Sequence, residues 1–90
     1  MFVKLMADYC STGVWHQSGT MMEMESLPIS DKLKAEIKKW TDWYEGSEFY
    51  LDPSDRKGEF DIGAFNRQGA LLAIKINNEL PLWSVLYRPE

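Results

Sequence analysis

The chain has 90 residues, enough for one domain that buries only about 60 to 65% of its unfolded surface. Its net charge of -4 argues against nucleic-acid binding, which depends largely on Lys and Arg neutralising phosphates. A single Cys and a single His exclude an internal disulfide and the usual zinc ligand sets. No secretory signal pattern and no run of about 20 apolar residues is present, so we expect a cytoplasmic single domain over residues 1–90 that binds no membrane.

The first third of the chain predicts β-structure. Residues 2–9 are mostly apolar, with Lys4 inserted and Asp8 near the end, which is typical of a strand. Residues 14–17 and 20–24 flank a turn signal at Ser18 and Gly19, which indicates a β-hairpin. Pro28 then separates this β-region from the helical one, because the residue before a proline avoids helical geometry.

The clearest helix is predicted over about residues 30–45. Ser30 is the expected N-cap, and Asp31 adds a negative charge near the positive end of the helix dipole. Apolar side chains recur every three or four residues on the face that must be buried: Leu33, Ile37, Trp40 and Tyr44. Gly46 is expected to end the helix in the left-handed conformation.

A second helix is predicted over about residues 62–79. Asn66 is an alternative cap, so its start is left open between Ile62 and Arg67. Gly69 lies on the apolar face, where it costs about 1 kcal/mol relative to Ala, so we expect another element to approach it closely. After Pro81, residues 82–88 alternate in the manner of a final strand.

This element order predicts an α+β fold. We expect a small, mostly antiparallel sheet made of the N-terminal strand, the hairpin and the C-terminal strand, covered on one face by the two helices. The first and last strands are expected to be neighbours. The pattern does not decide whether they run parallel.

Catalytic chemistry has little support in the sequence. Cys10 and His16 are of the nucleophile and base types, but nothing marks the orienting group or oxyanion pocket that a catalytic pair needs. We therefore interpret Cys10 as a buried thiol and His16 as an ordinary strand or turn residue. Residues 52–61 lack the ligand spacing of a calcium loop. The sequence predicts a non-enzymatic protein without a metal or a cofactor.

Residues 42–61 are the best candidate for a functional surface. They contain seven carboxylates, two cations and several aromatic side chains. Aromatic rings rimmed by charge of one sign are typical of protein-binding surfaces, although a solvated loop has the same composition. With Trp43 and Tyr50 as anchors, the candidate partner-binding residues are Asp42, Trp43, Glu45, Glu48, Tyr50, Asp52, Asp55 and Glu59.

Core and cap positions along nearly the whole chain carry a family resemblance. They comprise residues 8–15, residues 27–30 with the first helical stripe, and the second stripe with Trp83, Ser84 and Val85. This pattern resembles small acidic bacterial immunity proteins of toxin–immunity systems of the contact-dependent growth inhibition type.

The resemblance implies a cytoplasmic protein that binds a cognate toxin domain and blocks its active site or its access to a target. Many such toxins are basic nucleases, to which an acidic inhibitor would be steered electrostatically. The alternative is a stand-alone structural or regulatory homodimer that uses an exposed sheet edge or the side of the hairpin around Met22. The oligomeric state is left open.

Overall fold

A computed structural model describes residues 1–47, 54 and 60–89. The strands are β1 (Phe2–Leu5), β2 (Val14–His16) and β3 (Ser84–Tyr87), and the helices are α1 (Asp31–Glu45) and α2 (Ile62–Glu79), with a short 3₁₀ turn at Met24–Ser26. Both helices match their predicted ranges. The strands are shorter than predicted, and the second arm of the hairpin is reduced to an antiparallel bridge between Trp15 and Met21.

The sheet has the strand order β2-β1-β3. β2 lies antiparallel to β1, with Val3 opposite His16, whereas β3 lies parallel to β1, with Val3 opposite Val85. The expected α+β class, the mostly antiparallel sheet and the pairing of the first and last strands are confirmed. The parallel pairing arises because α1 and α2 form the crossover that a parallel connection requires.

Strand alternation gives the sheet two different faces. Val3, Leu5 and Val14 share the face toward the helices and are buried, together with the half-buried Val85 and Tyr87. On the other face, Phe2 and Leu86 are exposed. The helices therefore cover one face of the sheet, as predicted.

The two helices meet around Trp40. Its ring is 2% exposed and stacks on Phe65 of α2 at a centroid distance of 4.6 Å. Its indole N–H donates to the Phe65 carbonyl at 3.0 Å, so the polar atom of this buried ring is satisfied. Leu33, Ile37 and Leu72 complete the interface and are also buried.

The helix ends are fixed by side chains. Ser30 accepts a hydrogen bond from the Leu33 amide at 3.2 Å, as its predicted cap role requires. Asp61 accepts one from the Ala64 amide at 2.9 Å, which decides the start of α2 in favour of Ile62. The left-handed conformation expected for Gly46 is wrong: its φ is -81° and its ψ is 0°, because the helix tightens into a turn rather than reversing.

Gly69 confirms the predicted close approach. A Cβ atom built at this position would lie 2.5 Å from two ring carbons of Tyr87. The neighbouring element is therefore β3, and the glycine allows α2 to pack directly onto that strand.

Candidate partner-binding surface

The C-terminal end of α1 is joined to the loop between β1 and β2. The Tyr9 ring lies 4.9 Å from the Tyr44 ring, and the Tyr9 hydroxyl is 3.3 Å from the Ser47 hydroxyl. Cys10 has a φ of 55°, a left-handed conformation that is uncommon for residues other than glycine, and its amide donates to Glu45 Oε1 at 2.8 Å. These contacts give residues 42–47 a fixed position.

Trp43 lies at the edge of the core, as its position off the helical stripe indicated. It is 39% exposed. Its inner side packs on Phe60 and Phe65, with ring centroids 5.5 Å and 5.2 Å away. The ring is thus held in place by the core while part of it remains open to a partner.

A groove of about 360 Å³ lies beside Trp43, between the two helices. Trp40 forms part of its wall, and Glu36, Lys39 and Gln68 complete its lining. These last three residues are not among those predicted from the sequence. Glu36 and Lys39 share a helical face with Trp43 at steps of three and four, so helical spacing was a signal that could have found them.

The charges near Trp43 are partly paired. Asp42 forms an exposed salt bridge with Lys38 at 3.0 Å, a kind of pair that typically contributes about 0 to 1 kcal/mol. Glu36 pairs with Lys75 at 3.1 Å, and Glu45 holds the amide of Cys10. The described part of the candidate surface is therefore of mixed charge.

The remaining predicted binding residues cannot be placed on this surface. They lie outside the described part of the chain: Glu48, Tyr50, Asp52, Asp55 and Glu59. The structure thus brings Asp42, Trp43 and Glu45 together on the last turns of α1.

Cys10 is exposed, so its interpretation as a buried thiol is wrong. It occupies a surface loop whose left-handed turn keeps it out of the core. His16 is hydrogen-bonded locally through Nδ1 to the hydroxyl of Ser18 at 3.0 Å. No hydrogen bond joins Cys10 to His16 within residues 1–47.

Two properties of the described residues bear on other classes of function. Neither helix combines the length and the apolar character needed to cross a bilayer. No group of three or more His, Cys, Asp or Glu side chains in the described ranges is arranged to hold a metal ion.

A carboxylate at the far end of the helical pair has a perturbed pKa. Glu79, the last residue of α2, accepts hydrogen bonds from the Ser30 hydroxyl at 2.7 Å and the Ser30 amide at 2.6 Å. Both hydrogen bonds favour the charged carboxylate and so lower the pKa of Glu79, the bond from the hydroxyl more than the bond from the amide. This contact ties the end of α2 to the start of α1, and we assign it a structural role.

Together these features define a small α+β protein whose helix-end surface offers an anchored aromatic ring and charged neighbours. Over residues 1–90, the sequence matches the family described as Serratia CdiI immunity protein-like, and the chain belongs to that family. The resemblance to immunity proteins is confirmed by this match. No curated protein matches the chain.

Proposed function

We propose that this protein is a non-enzymatic immunity protein that neutralises a cognate toxin domain by binding it in the cytoplasm. The observation that carries the proposal is membership of the Serratia CdiI immunity protein-like family over residues 1–90. Binding would block the active site of the toxin or its access to a target.

The proposed binding surface is the 42–61 region, with Trp43 as an anchor. A Trp that is partly exposed but fixed on its inner side loses little conformational freedom on binding, and Trp is enriched among energetically dominant interface residues. The contacts of Trp43 with Phe60 and Phe65 support this role. Tyr50 is the second proposed anchor.

A basic nuclease domain is the toxin type that best fits the charge of this protein. The chain has a net charge of -4, and complementary charge accelerates encounter between proteins. The carboxylates at 48, 52, 55 and 59 are proposed to supply most of this attraction, because Asp42 and Glu45 already have partners.

The direct experiment is to sequence the gene directly upstream of the one for this chain and, where it encodes a toxin domain, to titrate that domain against the protein by calorimetry. We expect binding by the natural protein, and Trp43→Ala is expected to weaken it about 30-fold or more, a loss of about 2 kcal/mol. Leu82→Ala is the matched control, since Leu82 is a 91% exposed apolar side chain outside the proposed surface. Absence of binding by the natural protein would contradict the function, and unchanged binding by Trp43→Ala would contradict the surface.

The charge contribution needs a separate test. Reversing Glu48 and Asp52 to Lys is expected to slow association about tenfold at low salt and less at high salt, because screening weakens the attraction. Glu45 is left unchanged, since it holds the Cys10 loop. A control that reverses Glu23 and Glu25 produces the same net charge elsewhere, so equal slowing by both variants would refute a local acidic surface.

A further inference from the structure

β3 is an edge of the sheet, and part of its backbone faces outward. The Ser84 amide donates to the carbonyl of Met1, just before β1, at 2.8 Å, and the Arg88 amide donates to the carbonyl of Leu5, the last residue of β1, at 3.0 Å. Because alternate residues of a strand direct their backbone groups to opposite sides, the N–H and C=O of Val85 point away from β1. Neither group has a hydrogen-bond partner among the described residues.

One neighbouring group on this edge is covered. The side-chain amide of Asn77 donates to the Trp83 carbonyl at 2.6 Å, so the strand edge begins to open at Val85. A groove of about 400 Å³ runs beside Val85 along the flank of α2 and is lined in part by Ile74, Asn77 and Pro81. An added strand therefore has space next to Val85.

Apolar side chains border this opening on both sides. Ile74 of α2, on the helical side of the sheet, is 58% exposed. On the outer face, Phe2 and Leu86 are also mostly exposed and line a second groove of about 540 Å³. An occupant of the edge would bury apolar surface above and below the sheet, which adds to the backbone hydrogen bonds.

We propose that this edge pairs with the same edge of a second copy of the chain. The two β3 strands would run antiparallel about a twofold axis at Val85, so that the two Val85 residues exchange a pair of N–H···O bonds. A strand edge presents the same groups to its symmetry mate and is self-complementary. Ser84 of one copy would lie opposite Leu86 of the other, and the small serine leaves room for Leu86 to reach Phe2 across it.

The charges favour a second copy at this edge. Each chain carries a net charge of -4, yet among the described residues no carboxylate lines either of the two grooves beside β3. Within the described ranges, Lys4 is the one charged side chain that lines them. Pairing through β3 thus brings no carboxylate of these linings to the axis, which limits repulsion between the copies.

The test is sedimentation of the purified full chain. At about 100 µM the natural protein is expected to sediment as a dimer. Val85→Pro removes the outward-facing N–H, which edge strands tolerate, and keeps an apolar side chain at this half-buried position. It is expected to weaken dimerisation at least about tenfold with an unchanged circular dichroism spectrum. Ile62→Ala, which truncates a 44% exposed apolar residue at the start of α2, should remain dimeric.

A monomeric natural protein, or a Val85→Pro variant that dimerises like the natural one, would overturn the proposal. Should Val85→Pro unfold, Leu86→Lys decides the question. It places a new cation on each side of the axis at an exposed position, so a folded Leu86→Lys variant that remains as dimeric as the natural protein also overturns it.

Discussion

Gly69→Ala tests how tightly α2 is packed onto β3. The added methyl carbon would lie 2.5 Å from two Tyr87 ring carbons and 2.6 Å from the Tyr87 hydroxyl, whereas ordinary contacts begin at 3.4 Å. The ring has to move by about 1 Å, yet it is held by an edge contact with Trp40 and by a 3.0 Å hydrogen bond from its hydroxyl to Asn66.

The cost of overpacking exceeds the gain in helix propensity, so Gly69→Ala should destabilise the protein. Overpacking costs about 1 to 3 kcal/mol, and loss of the Tyr87–Asn66 hydrogen bond about 1 kcal/mol more. Alanine recovers about 1 kcal/mol through its better helix propensity. We therefore expect Gly69→Ala to lower the free energy of unfolding by about 1 to 3 kcal/mol, as measured by urea denaturation followed through tryptophan fluorescence.

The same substitution in a Tyr87→Ala background isolates the cause. With the ring removed, Gly69→Ala should retain only the helix-propensity gain and stabilise the protein by about 1 kcal/mol. Stabilisation of the natural chain by Gly69→Ala, or the same effect in both backgrounds, would refute the packing argument.

Three further predictions concern stability and binding. Because the pKa of Glu79 is lowered in the folded state, its contribution to the free energy of unfolding is complete above the ordinary pKa of 4.5 and is lost as the pH falls through the lower folded value. Glu79→Gln should therefore flatten the acid side of the stability–pH curve measured by urea unfolding. Glu25→Gln serves as the exposed control. Trp40→Ala should lower the free energy of unfolding by about 3 to 5 kcal/mol in the same assay. Cys10→Ser should leave calorimetric toxin binding unchanged; loss of binding by the folded variant would show that the Cys10 thiol takes part in binding.

The helices could be predicted from sequence because their signals are local. Ser30 and Asp61 cap the turns that directly follow them, and the apolar stripes repeat within each segment. The direction of β3 was not predictable, since it depends on contacts between distant segments. The turn signal at Ser18 and Gly19 located the hairpin but not the number of residues that pair in its second arm. Gly69 is an intermediate case: its sequence position indicated a close neighbour, but only the fold identified Tyr87.

The candidate surface was predictable in composition but not in electrostatics. Sequence counting treats Asp42 and Glu45 as free charges. The Lys38–Asp42 pair has the i, i+4 spacing that helix geometry favours and could have been anticipated. The bond between Glu45 and the Cys10 amide spans 35 positions and required the fold. The consequence is that the proposed attraction for a toxin rests mainly on carboxylates beyond residue 47.

Trp43 and Val85 lie in different parts of the molecule, so the two proposals can be tested separately. Glu45 and Trp43 lie on α1, next to the loop that joins β1 to β2, whereas Val85 lies on β3, at the opposite edge of the sheet from β2. Trp43→Ala should therefore weaken toxin binding without changing the dimer, and Val85→Pro should do the reverse. If both proposals hold, the natural complex sediments with two copies of each protein and the Val85→Pro complex with one. If either single substitution abolished both toxin binding and dimerisation while the protein remained folded, the two surfaces would not be separate.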